Sequence, residues 1–372
     1  MVGSGTVAVE AVAYCKSGIY SDVDPLSCLL TRAKSRPVDP EWLRSTAQTV
    51  ILKARPYTTA IARRSEARKA VADLEGSTPF RAPPNVFHWF QPYVVVNLCK
   101  MLEQAAEIEC SPRKRDALLA TFSGVIRRIS RADPSTSSGL EVTNVRKDAI
   151  RKGLRFDVAA ELTRKANQLA HGYEELRKVS RLGSAQVAQY DAKHWSKLCT
   201  SRGIWPDLII TSPCYISAIE YWRRHKLEYS WLGLVSPDNL SSVKHLFLGM
   251  GNDEPDVEGL PRCVKHVHGK LRRIGRKRDA DILARYFADS EDWLTEIGTV
   301  LSKTHGTAYV VVGSNTNHGL LLNTPSALRE IASGIGLRAS VFMSYRIKNS
   351  YMQYPTKWKR IKVETVLKLV AQ

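Results

Sequence analysis

At 372 residues the chain can bury a substantial core, in one large domain or two. Its 55 Lys and Arg outnumber its 36 Asp and Glu, and the formal charge of +19 suits a polyanionic partner, nucleic acid first. The composition excludes a membrane-spanning helix, because no apolar run is long enough, and a disulfide scaffold, because the seven cysteines are odd in number and include no Cys-x-x-Cys pair. Free thiols, no metal-ligand spacing and no basic-then-apolar leader together predict a cytoplasmic protein without a metal and without a membrane partner.

Gly3-Ser4-Gly5-Thr6 is a glycine-rich turn, and residues 7–14 continue it as a helix. Such a turn lets backbone approach a ligand closely and points N–H groups at it. Residues 17–25 read as turn, strand and acidic strand end, with Asp22 as the acid. Loop, helix, strand and carboxylate is the order of a nucleotide-type site in a doubly wound fold, where the acid accepts bonds from ribose hydroxyls. Residues 40–182 lack strand patterning and predict helices over 42–52, 60–74, 93–108, 113–129 and 157–179, with a mobile loop at 135–139. Arg127, Arg128 and Arg131 form either a phosphate-facing edge or a solvated helix face.

Residues 187–192 predict a strand ending in Asp191, which also reads as a plain helix N-cap for residues 193–198. The apolar run 207–211, bounded by Pro206 and broken at Pro213, predicts a short buried strand and then a sharp turn. That turn presents the Ser212 hydroxyl, Pro213 and the Tyr215 ring. Residues 216–234 mix aromatics with Arg223, Arg224, His225 and Lys226. An acidic loop over 249–261 precedes the most basic stretch, 262–278, which holds Lys265, Lys270, Arg272, Arg273, Arg276, Lys277 and Arg278. Its charge density fits phosphate contacts or simply a solvated surface. Helical periodicity follows over 281–303, a β-branched strand over 306–313, a helix over 326–333, and a closing antiparallel pair over 338–347 and 362–370.

Thr211-Ser212-Pro213-Cys214-Tyr215 resembles the Thr-Ser-Pro-Pro-Tyr motif of S-adenosylmethionine-dependent DNA amino-methyltransferases, with Cys214 where that family usually has a second proline. Those enzymes methylate the exocyclic amino group of cytosine or adenine. The resemblance implies that Ser212 and the Pro213 carbonyl accept the amine's hydrogen bonds, which returns electron density to nitrogen, while Tyr215 stacks on the extruded base. Gly3-Ser4-Gly5-Thr6 resembles the end of the family's Asp-Pro-Phe-x-Gly-Ser-Gly-Thr motif. Asp22 then aligns with its ribose-binding acid and Asp191 with the acid that meets the cofactor's adenine. Residues 87–92 and 122–136 resemble parts of the family's helical insert, 216–234 its aromatic and basic run near DNA, and 363–370 its final strand. Met1 falls where the family has phenylalanine, so the preceding Asp-Pro and the strand that carries it are expected to be missing, or supplied by a companion polypeptide.

These readings combine into an α/β expectation: a doubly wound, Rossmann-like methyltransferase sheet with a helical insert and no first strand. Residues 1–39 would begin the cofactor site, 40–183 form the insert, and 184–372 complete the catalytic domain. The expected activity is methyl transfer from S-adenosylmethionine to a DNA base, cytosine before adenine, as in restriction–modification or phage defence. Ser212, Pro213 and Tyr215 would be catalytic, and Gly3, Ser4, Gly5, Thr6, Asp22 and Asp191 would bind the cofactor. Arg223, Arg224, Lys270, Arg272, Arg273, Arg276 and Lys277 would meet DNA. An RNA amino-methyltransferase and a non-catalytic nucleic-acid-binding remnant are the alternatives.

Overall fold

A computed structural model of the chain describes residues 1–133, 136, 140–216, 220–347 and 362–372. It begins with α1 (Thr6–Ala13), β1 (Gly18–Asp22) and α2 (Pro25–Ser35). A helical stretch follows: α3 (Pro40–Ala54), α4 (Arg64–Ser77), α5 (Val86–Trp89), α6 (Pro92–Ala106), α7 (Pro112–Ile126), α8 (Asn144–Arg151) and α9 (Val158–Arg177). Then come β2 (Ala185–Gln189), α10 (Trp195–Arg202), β3 (Leu208–Thr211), α11 (Tyr221–Arg224), α12 (Lys226–Trp231), α13 (Leu240–Lys244), α14 (Arg262–Arg273) and the long α15 (Lys277–Thr304). The chain closes with β4 (Thr307–Gly313), β5 (Asn315–Asn317), β6 (Leu320–Leu322), α16 (Thr324–Gly334), β7 (Leu337–Arg346) and β8 (Val363–Ala371). The fold is therefore mixed α/β, with strands of mixed orientation.

The helices start where local chemistry dictates. Asp24, Asp39 and Ser111 each stand one residue before a proline and accept a backbone N–H of the first turn, at 2.8 Å from Leu26, 3.1 Å from Trp42 and 3.5 Å from Lys114. Proline has the backbone angle of a first helical residue and lacks an N–H that would go unpaired there. Asp157 caps α9 in the same way, at 2.9 Å from the Ala160 N–H. Helix α8 is absent from the helices expected from sequence. It is short and has no fully buried residue, and only Ile150 packs against the helical core, so its apolar signal is weak. The loop expected at 135–139 lies outside the described residues, apart from Thr136.

Three sheets form. β1 and β2 pair in parallel, with Asp22 opposite Gln189. β3, β4, β8 and β7 make a second sheet in that order, in which β3 and β4 are parallel and the other pairings antiparallel. β5 and β6 form a small hairpin that the sequence pattern does not announce. β1 and β3 do not pair with each other. Each is the end strand of its own sheet, and both line one cavity of about 570 Å³.

Among the described residues, the buried side chains form two apolar cores. One lies among the helices, and it extends beyond residues 40–183 to take in Leu26 and Leu29 on one side and Leu227, Tyr229, Trp231 and Val243 on the other. The second packs α14, α15 and α16 on the β3–β4–β8 sheet through Tyr286, Phe287, Trp293, Val310 and Leu367. A polar tie links α9 to α2: the buried Tyr173 hydroxyl donates to the Ala33 carbonyl at 2.7 Å. Burial pushes that phenol upward, so it remains a donor. Replacing it strands a carbonyl near the end of α2, where helix carbonyls lack partners of their own. Tyr173→Phe is therefore expected to lower the unfolding free energy by about 1–2 kcal/mol in urea titrations. An unchanged midpoint and slope would show that water replaces the bond.

Candidate functional site

The glycine turn, the end of β1 and the turn after β3 meet at one place, although more than two hundred positions separate the first from the last. Asp22 is the point of convergence. One carboxylate oxygen accepts the backbone N–H of Val2 at 3.0 Å and of Gly3 at 2.9 Å, and the other accepts that of Asp24 at 3.1 Å. The Thr211 hydroxyl at the end of β3 donates to the Met1 carbonyl at 3.2 Å. Residues 1–3 therefore bridge the ends of β1 and β3.

Glycine is required in this turn for two separate reasons. Gly5 has φ +86°, and a Cβ there would come within 2.9 Å of the Thr31 backbone. Gly3 has φ +56° but open space where its Cβ would be. The first N–H groups of α1 follow directly, and such groups suit an anionic or polar ligand. A carboxylate has about four acceptor positions, and Asp22 uses three, so it retains capacity for a hydroxyl.

Asp191 lies just past the end of β2. It accepts the Lys193 N–H at 2.9 Å, which is the capping role that its sequence setting allows. Lys193 in turn pairs with Asp289 at 2.9 Å, and Asp289 also accepts the Gly249 N–H at 2.7 Å. This network ties the polar loop before α14 to the end of the β1–β2 pair.

In the turn after β3, Ser212 is exposed and Pro213 is buried. The Cys214 carbonyl accepts the Tyr286 hydroxyl at 2.8 Å. Burial and then the nearby Asp22 charge push the Cys214 thiol up to about 12. The Tyr215 hydroxyl donates to Glu364 on β8 at 2.5 Å, and Tyr345 donates to the other oxygen of the same carboxylate. Burial, then that carboxylate, raise the Tyr215 phenol, while the neighbouring Ser212 works in the opposite direction. The ring of Tyr215 is thus fixed from its far end. Asn315 donates to the Ile216 carbonyl and holds the exit of the turn.

A second network is not legible in the sequence. Asp24, almost fully buried, accepts from His225 Nδ1 at 2.7 Å, the Tyr229 hydroxyl at 2.9 Å, Ser27 at 3.1 Å and the Leu26 N–H at 2.8 Å. It anchors α11 and α12, which follow the turn, against the start of α2. Its Asp-Pro setting marks it as a cap, but nothing in the sequence pairs it with residues two hundred positions away.

The basic candidates divide into two groups. Arg272, Arg273, Arg276, Lys277 and Arg278 are exposed around the α14–α15 corner, Lys270 is half-buried, and Arg272 reaches Asp281 at 3.8 Å. The α14 face beneath them is buried through Val264, Val267 and Leu271, so the tract is an ordered amphipathic helix. Arg223 pairs with Glu220 at 3.4 Å. Arg224 instead lines a cavity of about 660 Å³ with Lys34, Arg127, Arg128, Lys165 and the buried Glu228. Burial lowers both Arg127 and Arg131, and Arg128 pairs with Glu161 at 2.9 Å, so these three arginines do not form a single solvated stripe.

No family model, curated protein or solved structure matches the chain. Among the described residues no helix is long and apolar enough to cross a membrane, and no group of three or more His, Cys, Asp or Glu could hold a metal ion.

Burial alone would raise the Asp24 carboxyl, but the bonds from His225 and Tyr229 outweigh it and hold it below its ordinary value of 3.8. A lowered carboxyl contributes stability that is complete above the ordinary value and is lost as pH falls through the lowered one. Asp24→Asn should therefore flatten the acid side of the stability profile, compared by urea unfolding at about pH 7 and about pH 3. An acid limb as steep as that of the parent would place the titration elsewhere.

Proposed function

We propose that the chain transfers a methyl group from S-adenosylmethionine to the exocyclic amino group of a nucleic-acid base, with DNA as the substrate. The observation that carries this reading is the meeting of the Gly3–Thr6 turn and Asp22 with residues 211–215 at the ends of β1 and β3. In this reading β2–β1 and β3–β4–β8–β7 are the two halves of one doubly wound sheet, and the site lies beyond the carboxyl ends of its parallel strands.

The residues fit the group they would hold. Gly3, Ser4, Gly5 and Thr6 offer backbone N–H groups and an open approach, Asp22 keeps acceptor capacity for ribose hydroxyls, and Asp191, next to the Tyr190 whose N–H bonds to the Asp22 carbonyl, would meet the adenine. S-adenosylmethionine supplies an electrophilic methyl group and needs no metal. The remaining work belongs to the chain. The Ser212 oxygen and the Pro213 carbonyl accept the two hydrogens of the target amine, and the nitrogen lone pair is drawn out of the ring. Tyr215, fixed by Glu364, provides a flat face for the base. Catalysis rests on positioning and on acceptors set before the reaction begins.

Ser212→Ala removes one acceptor without touching the Asp22 network. Methyl transfer should fall roughly a hundredfold or more while S-adenosylmethionine affinity stays the same. Wild-type turnover in tritiated-methyl assays on duplex DNA would refute the role of Ser212. The same assay with structured RNA as competitor distinguishes the polymers, since RNA that is methylated in preference to DNA would overturn the choice of DNA.

The exposed α14–α15 corner is the proposed phosphate track. Neutralising Arg272, Arg273, Arg276 and Lys277 together should weaken binding to all duplex sequences alike and flatten the salt dependence by up to about 0.9 log units per lost contact. An unchanged slope in fluorescence anisotropy would assign the track to another surface.

A further inference from the structure

Five cations line the cavity of about 660 Å³ where α2, α7, α9, α11 and α12 converge. Lys34, Arg127, Arg128, Lys165 and Arg224 surround it, with the Glu228 carboxylate beside them. None of these residues lines the cavity between β1 and β3, and none belongs to the Gly3–Thr6 turn or to residues 211–215. Arg128 is held by Glu161 at 2.9 Å. Lys34 and Lys165 bond neutral oxygens, the Ser4 carbonyl at 2.9 Å and the Gln168 side chain at 3.1 Å. Among the described residues, Lys34, Lys165 and Arg224 are in no ion pair. Burial lowers Lys34, burial and then Arg164 and Arg128 lower Lys165, and burial and then Arg224 lower Arg127. Like charges gathered in a partly desolvated space repel one another, and an entering anion relieves that repulsion.

Glycine inside a helix is destabilising relative to alanine, yet α7 carries Gly124 and α9 carries Gly172 on the cavity wall. Lys165 lies across α7 at Gly124, where a Cβ would come within 2.8 Å of its Cδ. At Gly172 a Cβ would meet nothing within 4 Å, so this side of α9 is left open. Val9, Leu30 and Leu169 give the cavity an apolar wall. Glu228 is 5% exposed, and its Oε2 has no hydrogen-bond partner among the described residues. A buried acceptor in that state needs a donor, such as a sugar hydroxyl. Three cations outside any ion pair exceed the charge of about −1.5 to −2 on one phosphate monoester, so two phosphoryl groups match the lining better. The volume falls in the range of small-ligand sites. The cations converge on one space instead of following a face, as a polymer backbone requires.

We propose that this cavity binds a free nucleoside diphosphate, with its phosphates held by Lys34, Lys165 and Arg224, a sugar hydroxyl on Glu228 and its base against the apolar wall. The inference does not depend on methyl transfer, since it uses none of the residues assigned to the cofactor or to the target amine.

Isothermal titration calorimetry of the full chain, with ADP, CDP, GDP and UDP as separate probes, tests it without any activity readout. At least one should bind at one site per chain, about tenfold or more tighter than its own nucleoside and than pyrophosphate, because phosphates and sugar both contribute. Lys165→Met combined with Arg224→Met should weaken that binding about tenfold or more. Gly172→Leu should weaken it as much by filling the space beside α9, with no loss in the urea unfolding midpoint, since leucine is the better helix former. Binding of none of the four probes would overturn the proposal. So would binding that survives both sets of substitutions, or a nucleoside or pyrophosphate that binds as tightly as the nucleotide. A short single-stranded oligonucleotide that binds more tightly than the free nucleotide, and is weakened by the same substitutions, would also overturn it, since the occupant would then be a polymer.

Discussion

One carboxylate holds residues 1–3 in place. Asp22 closes β1 and collects three backbone N–H groups, those of Val2 and Gly3 at the start of the glycine turn and that of Asp24 just past its own strand. Charge-assisted bonds of this kind are stronger than neutral ones. In return the turn receives a fixed position relative to β1, and through the Met1 carbonyl it is also tied to the end of β3. Without that grip, residues 1–5 would be a glycine-bearing segment with much conformational freedom to lose. With it they become a rigid lip at the mouth of two strands.

Asp24, two residues on, does the complementary work. It faces His225 and Tyr229, so the same short segment of chain fixes the glycine turn on one side and the helices after the Ser212 turn on the other. Those helices are built into the helical core, where Trp231 packs edge-on against Phe90 at 5.7 Å between ring centres. The turn from Ser212 to Tyr215 is thus held between two bodies of packing. β3, Tyr286 and Glu364 secure it from the sheet side, and Asp24 secures α11 and α12 beyond it from the helical side. A site assembled in this way can place acceptors accurately even though most of its residues stand on short turns.

Local signals made much of this readable. Pro- and Ser-rich joints marked off the helices expected over 42–52 and 113–129, which are α3 and α7, and the β-branched run over 306–313 announced β4, because breakers and side-chain shape act within a few residues. Asp191 shows the limit of such reading. The sequence allowed a strand end or a cap, and the structure has it capping a turn two residues past β2. The Asp24–His225–Tyr229 cluster, the fixing of Tyr215 by Glu364 and the Asp289 junction join residues that are distant in the chain. Each depends on tertiary packing that leaves no periodic or compositional trace. The basic tract at 262–278 was legible as charge but not as structure, because lysine and arginine dominate it and the buried valines and leucine of α14 are few.

The central claim is that the glycine turn and the Ser212 turn are two walls of one cofactor site. Ultraviolet crosslinking of radiolabelled S-adenosylmethionine to the protein, followed by peptide mapping, tests it most directly. The account predicts label in peptides covering residues 1–24 and 207–216, competed away by unlabelled cofactor. Competable label confined to the helical segment 40–183, or no competable label in any form of the protein, would contradict it.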